Sequence, residues 1–134
     1  MKILNNEISV NYGAIYENFV AQELVAHGFG GSEHCIYYYN NKRQGELDFV
    51  IEQDGATVPI EVKSGKDYDR HNALSNVMTN PDYAIEKAYV LCNGNLVTRD
   101  NIIYAPIYMT MFIDKKHLEK KQIFRIDITA LKQK

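Results

Sequence analysis

The sequence lacks several features that would assign it to a particular class of protein. It has no tryptophan, three prolines and two cysteines among 134 residues. No apolar run approaches the ~20 residues that span a membrane as a helix, and no secretory signal pattern opens the chain. Cys35 and Cys92 lie far apart in apolar segments. We therefore expect buried, reduced thiols in a cytoplasmic protein without a membrane partner.

Two kinds of functional site are also missing from the sequence. The histidines and cysteines have no metal-ligand spacing, which argues against a zinc site. The chain has no Gly-x-x-x-x-Gly-Lys-Ser/Thr motif, which excludes ATP hydrolysis by a phosphate-binding loop. The formal charge of −2 argues against nucleic-acid binding through electrostatics alone, because phosphate contacts need clustered Lys and Arg. The length predicts one domain, residues 1–134.

The sequence does contain a strong β-hairpin pattern. Apolar residues recur at every second position in two segments, at Leu47, Phe49 and Ile51 and at Val58, Ile60 and Val62, so each segment reads as a strand with one apolar face. Asp54-Gly55 between the segments favours a two-residue turn, since both central positions of that turn need positive φ. This register places Asp48 opposite Glu61, with Cβ atoms about 4.5–5.5 Å apart on one face. Lys63 shares that face because strand side chains repeat every second residue.

Two opposed carboxylates restrict the chemistry of this hairpin. At neutral pH one must bind a proton or both must share a cation, and Mg²⁺ or Mn²⁺ suits oxygen ligands. Lys63 beside such an ion could orient water or stabilise charge on a phosphoryl group. This arrangement predicts phosphodiester cleavage. The alternative is an exposed polar face on which Glu46 and Lys63 form an ordinary ion pair, worth about 0–1 kcal/mol.

Periodicity predicts the remaining elements. Apolar positions from Ile15 to Val25 predict a helix from about Tyr12 to His27, which also carries Glu17. The other predicted elements are a helix over Asp69–Met78, strands over Cys35–Tyr39, Ala88–Cys92, Asn101–Tyr104 and Ile123–Ile128, and an apolar packing segment from Ala105 to Phe112. We expect the tyrosines at 37–39 to make packing and edge contacts. The order predicts an α/β domain with a mixed central sheet flanked by helices.

These residues carry a resemblance to a known superfamily. Asp48, then Glu61-Val62-Lys63, with Glu17 on a preceding helix, resembles the PD-(D/E)XK nucleases, although Leu47 stands where the superfamily name has proline. More narrowly, the chain resembles the nuclease-like C-terminal domain of a prokaryotic AAA+-type ATPase family. The segments that carry this likeness are the first helix, Gly45–Phe49, Ile60–Gly65 and Ala105–Met109. It covers nearly the whole chain and implies a restriction-endonuclease-like core.

The resemblance implies a role for each matched residue. Asp48 and Glu61 would ligate Mg²⁺ or Mn²⁺, with the backbone carbonyl of Val62 as a third oxygen. Glu17 would assist from the helix, directly or through water. Lys63 would be the catalytic residue that orients the base or stabilises charge. Charge clustering adds candidate substrate-binding residues, and these are Lys42, Arg43, Lys66 and Arg70.

Three hypotheses for function remain open from the sequence. The first is a metal-dependent nuclease acting on DNA, either as part of a longer ATPase or as a stand-alone relative. The second is a non-catalytic docking or adaptor domain of nuclease-like fold that works with an ATPase. The third is a purely structural hairpin. A homodimer is compatible with the resemblance, since many nucleases of this fold act as dimers.

Overall fold

A computed structural model describes residues 11–114, in which helices lie on both faces of one six-stranded sheet. The helices are α1, Tyr12–Ala26, and α2, Asn72–Met78, and a 3₁₀ helix spans Ile107–Phe112. The strands are β1, Ile36–Asn41, β2, Gly45–Gln53, β3, Ala56–Val62, β4, Ala88–Cys92, β5, Val97–Arg99, and β6, Ile102–Pro106.

The sheet is mixed, as the sequence predicts. Its strand order is β1-β2-β3-β4-β6-β5. The first three strands form an antiparallel meander, β3, β4 and β6 run parallel, and β5 closes the sheet antiparallel to β6. The connection from β3 to β4 contains α2, because parallel neighbours need a crossover. The carboxyl ends of β3 and β4 therefore lie at the same edge.

Two apolar clusters cover the two faces of the sheet. The α1 side contains Val20, Leu24, Ile51, Val58, Ile60, Val62 and Leu91 among its buried residues. The α2 side contains Leu47, Leu74, Val77, Ala88, Val90 and Ile102. Adjacent residues of β4, Val90 and Leu91, enter opposite clusters, so this strand is buried on both faces as parallel central strands usually are.

The predicted turn between β2 and β3 is confirmed. Asp54 and Gly55 have φ values of 57° and 76°, the positive values that this turn requires. The register that follows pairs Gln53 with Ala56 and continues to the pair Phe49–Ile60. One side of the hairpin is thus held by a regular antiparallel ladder.

Several predicted boundaries and burial assignments differ from the structure. The second helix begins at Asn72, not Asp69, because a turn in which the N–H of Arg70 bonds to the carbonyl of Asp67 precedes it. Ile15 and Val25 are exposed on α1, whose buried residues are Val20 and Leu24. The helix is apolar on more than one side, so periodicity did not identify the packed face.

Other expectations concern the ends of the chain and its thiols. The predicted strand Ile123–Ile128 lies outside the described residues. Cys92 is buried and Cys35 is half-buried, and both are free thiols. Within residues 11–114, neither helix has the length and apolarity needed to cross a membrane.

Candidate active site

A β-bulge determines where Asp48 points. One residue of β1, Tyr38, faces two residues of β2, Asp48 and Phe49. The extra residue shifts the alternation of side chains along β2. Leu47 consequently joins the α2 cluster while Phe49 packs on the α1 side, and Asp48, which follows Leu47, turns toward α1. The predicted placement of Leu47 and Phe49 on one face is therefore wrong.

The Asp48 carboxylate takes the place of a backbone acceptor. The ladder between β2 and β3 ends at the pair Phe49–Ile60. Beyond that pair, Oδ2 of Asp48 accepts a hydrogen bond from the N–H of Val62 at 2.6 Å. Asp48 is thus held at the end of the hairpin opposite the turn, which we call the open end. Its backbone is not ladder-paired with Glu61, the partner that an uninterrupted register gives.

Glu61 and Lys63 form an ion pair at the end of β3. Nζ of Lys63 lies 2.5 Å from Oε1 of Glu61. Glu61 is only 6% exposed, and its other oxygen, Oε2, is buried without a hydrogen-bond partner. An unpartnered buried carboxylate oxygen is costly, so this atom marks a place that a cation or donor would stabilise. The alternative pairing of Lys63 with Glu46 does not form, since Lys63 pairs with Glu61 and the ladder between β2 and β3 ends at Phe49–Ile60, before it reaches Glu46.

Burial and neighbouring charges have opposing effects on the pKa values of the carboxyls at the open end. Burial raises the pKa of the Asp48 carboxyl, against the opposing effects of the Val62 N–H and the Lys63 ammonium. Burial also raises the pKa of Glu61, and the Asp48 charge adds to that rise while Lys63 opposes it. Both carboxyls therefore hold protons more tightly than they would in water, and a bound divalent cation would reverse this preference.

Glu17 brings a further carboxylate from α1. Its pKa is raised by partial burial and by the charges of Asp48 and Glu46, and it is lowered by Lys63. These charge interactions act without contact, so Glu17 lies in the electrostatic neighbourhood of Asp48 and Lys63 but makes no hydrogen bond or ion pair with them. Glu46, which the sequence identified only as the alternative ion-pair partner of Lys63, is an additional acidic neighbour.

The donor set limits the kind of metal that the site could hold. Residues 11–114 contain no group of three or more His, Cys, Asp or Glu side chains placed to hold one metal ion. Asp48 and Glu61, the carbonyl of Val62 and water would form a smaller set of oxygen donors. Mg²⁺ binds in this manner, through one or two carboxylates together with waters and substrate phosphates. The unpartnered Oε2 of Glu61 fits such an ion.

The predicted substrate-binding cations do not join the carboxylates. Lys42 and Arg43 lie in the exposed turn between β1 and β2, and Lys66 and Arg70 lie in the exposed loop after β3. Among the described residues, Lys63 is the cation that opposes the raised pKa values of the three carboxyls.

A hydrogen-bonded contact that the sequence did not reveal connects α1 to the strand ends. The hydroxyl of Tyr16 lies 3.3 Å from Oδ1 and 3.1 Å from Nδ2 of Asn93, and Nδ2 lies 3.5 Å from the carbonyl oxygen of Ser64. Tyr16 precedes Glu17, and Ser64 follows Lys63. The available signal was that Asn93 follows a buried strand whose carboxyl end shares an edge with β3.

The comparisons with known proteins give one result. Neither the curated proteins nor the solved structures contain a match to this chain. A family model matches residues 12–110, which include α1, the hairpin and both carboxylates at its open end. Because this match covers more than half of the 134 residues, the chain belongs to the family described as a domain of unknown function, DUF4143.

Proposed function

We propose that the protein is a divalent-metal-dependent nuclease that hydrolyses phosphodiester bonds of DNA. The observation that carries this proposal is the convergence of Asp48, Glu61 and Lys63 at the open end, where Oε2 of Glu61 is buried and unpartnered. The resemblance to the PD-(D/E)XK superfamily supports the same function and a restriction-endonuclease-like core. The family is often found with AAA ATPases, which supports a role as the C-terminal part of such a protein.

Asp48 and Glu61, with the carbonyl of Val62, would hold Mg²⁺ or Mn²⁺. When bound, such an ion polarises a phosphoryl oxygen and lowers the pKa of a bound water. The chain's own contribution to binding is a pair of carboxylates in a partly dehydrated place, where an electrostatic interaction is stronger than in water.

Lys63 would supply charge stabilisation during cleavage. Glu61 fixes one side of its ammonium group at 2.5 Å, while 30% of the Lys63 side chain remains exposed and can reach a phosphate oxygen. A cation positioned in advance stabilises negative charge as it develops on the phosphoryl group. Glu17 would accept a proton or a hydrogen bond from the attacking water, directly or through a second water.

The test compares DNA cleavage by the wild type, Asp48→Asn and Lys63→Met, with Mg²⁺, Mn²⁺ or EDTA present. We expect metal-dependent cleavage in the wild type and a loss of roughly 10²–10³-fold or more in each variant. Lys87→Met is the control, because Lys87 precedes β4 at the opposite edge of the sheet. Circular dichroism verifies folding. Undiminished cleavage in both site variants would eliminate the proposal.

A second candidate function is a non-catalytic docking module for an ATPase. The apolar side chains of Tyr12, Ile15 and Val25 are exposed on α1, which favours a protein contact. Co-purification of a candidate AAA ATPase with the chain, lost in Ile15→Glu but kept in Asp48→Asn, would support docking if no variant cleaves DNA. Retention of the ATPase by Ile15→Glu would contradict this contact.

A further inference from the structure

Tyr38 occupies an unusual position beside the carboxylates. It is the β1 residue that faces the bulge formed by Asp48 and Phe49. We expected packing contacts for it, but 60% of its surface is exposed. Its hydroxyl accepts a hydrogen bond from Nδ2 of Asn40 at 3.3 Å. The ring is therefore anchored at its polar end while most of its surface remains open.

Tyr38 also lies close to the acidic cluster. The proximity of its hydroxyl to Glu46 raises the pKa of Tyr38, and the charge of Asp48 adds to that rise. Asn40 and Glu46 are direct partners across β1 and β2. Tyr38 thus lies at the rim of the candidate active site, on the α1 side of the sheet.

The charge distribution limits how a nucleic acid could bind there. Glu17, Glu46, Asp48 and Glu61 repel phosphates, and Lys63 is the cation that acts on these carboxyls among the described residues. Phosphate neutralisation is therefore weak at the carboxylates themselves, and contacts of another kind would add to the affinity there. Stacking of bases on aromatic rings tolerates any sequence and needs no positive charge. A paired base in a duplex has both faces covered by its neighbours, whereas an unpaired base has a free face.

We infer that Tyr38 is a stacking platform for an unpaired base, so that the substrate of the open end is single-stranded DNA. This inference rests on the proposed function, because it places the strand beside the proposed cleavage site. The anchored ring suits the role, since little conformational freedom is lost when a base stacks on it. Single-stranded DNA then enters over the edge strand β1 and reaches Lys63 across the bulge.

The absence of tryptophan gives a direct test. Tyr38→Trp introduces a single tryptophan, whose emission should be quenched when oligothymidylate is titrated in EDTA. Tyr37→Trp is the matched control, because Tyr37 is 57% exposed on the same strand and points to the opposite side. We expect quenching in the first variant and not in the second. Equal quenching in both variants, or none in either, would overturn the inference.

Affinity measurements complete the test. Fluorescence anisotropy with labelled oligothymidylate in EDTA should show Tyr38→Leu binding roughly 5- to 150-fold more weakly than wild type, with Tyr37→Leu unchanged. Tyr38→Phe keeps the ring and should restore most of the affinity. A duplex of equal length should bind more weakly than the single strand in wild type. Unchanged affinity in Tyr38→Leu, or no wild-type binding to the single strand, overturns the inference.

The inference and the proposed function can fail separately. Single-stranded DNA that binds through Tyr38, while neither single-stranded nor duplex DNA is cleaved with Mg²⁺ or Mn²⁺, would sustain the stacking platform and refute the nuclease. Metal-dependent cleavage that requires Asp48 but is insensitive to Tyr38→Leu would sustain the nuclease and refute the platform.

Discussion

The turn end and the open end of the β2–β3 hairpin differ in the regularity of their strand pairing. From Gln53–Ala56 to Phe49–Ile60 the register is constant and the ladder is regular. Beyond that pair a bulge enters β2, and the Asp48 side chain binds the N–H of Val62. Strand pairing is therefore regular at one end of the hairpin and locally irregular at the other, where the polar side chains lie.

The two ends also differ in their energetics. The turn end buries apolar side chains and satisfies its backbone hydrogen bonds, which stabilises the fold. The open end holds Asp48 and Glu61 with raised pKa values, mainly because burial disfavours their charged forms. An arrangement that is unfavourable in the free protein is common where a ligand later compensates it.

The largest effect should follow a cavity in the regular half. Ile51 is 1% exposed in the α1-side cluster, and Ile51→Ala should lower the free energy of unfolding by about 2–5 kcal/mol. Urea denaturation measures this change. Cleavage per folded molecule should remain close to wild type, because the cavity lies away from the carboxylates. Ile51→Val, the milder control, should cost about 0.5–1.5 kcal/mol.

The contrast between the two ends would be contradicted if Ile51→Ala strongly lowered the cleavage rate of folded molecules as well as their free energy of unfolding. Such a result would mean that the two ends of the hairpin are structurally coupled. Measuring activity at a temperature well below the unfolding midpoint separates these possibilities.

Metal binding should stabilise the open end by the next largest amount. At a Mg²⁺ concentration of 100 times Kd, the wild type should gain about 2.7 kcal/mol of unfolding free energy. Thermal unfolding followed by circular dichroism, with and without MgCl₂, measures the gain. Asp48→Asn should lose it, since one of the two carboxylates becomes neutral. An equal Mg²⁺ effect in both proteins would locate the ion elsewhere.

Local patterns predicted the regular features of the fold well. The limits of β4, Ala88–Cys92, agree with the sequence, as do the Asp54-Gly55 turn and the start of α1 at Tyr12. Each depends on periodicity or turn chemistry within a few residues. Strand β5, Val97–Arg99, was not predicted because three exposed residues carry no pattern of their own.

The proximity of Asp48 and Lys63 to Glu61 was predicted from the sequence, but the local geometry was not. Alternation and the turn brought Asp48, Glu61 and Lys63 to one region, and the resemblance added Glu17. The bulge could not be read from the sequence, because it arises from the pairing of β2 with β1. Tyr38 acquires its place beside the carboxylates through that same nonlocal pairing.

A smaller effect is expected at the turn itself. Gly55 has a φ of 76°, and a Cβ added there would meet no atom within 4 Å. Gly55→Ala therefore tests backbone strain alone and should cost about 1–2 kcal/mol in urea denaturation. Gly31→Ala is the control, since its Cβ would also meet open space and no positive φ is required there. Cleavage should be unchanged in both variants. A loss of cleavage in Gly55→Ala alone would show that the conformation of the turn affects the candidate site.

The smallest effect is the pH-dependent contribution of Asp48 to the free energy of unfolding, and its sign follows from the direction of the pKa shift. A carboxyl whose pKa is raised in the folded protein keeps its proton longer than in the unfolded chain, whose ordinary value is 3.8. Wild-type stability from this group is fully present below that pH and is lost as pH rises through the folded pKa. The amide of Asp48→Asn does not ionise, so this variant does not lose stability as the pH rises. In EDTA its unfolding midpoint at pH 7 should therefore exceed that of wild type.

We expect this difference in midpoint to stay below ~4 °C, which for a domain of this size corresponds to about 1 kcal/mol of unfolding free energy. It should disappear near pH 3, where the wild-type carboxyl is protonated. Saturating Mg²⁺ at pH 7 should reverse the order of the two midpoints, since a bound cation stabilises the ionised wild-type site and not the amide. A variant less stable than wild type at pH 7 in EDTA would mean that the hydrogen bond to Val62 outweighs the cost of the buried charge. The open end would then stabilise the free protein as the turn end does.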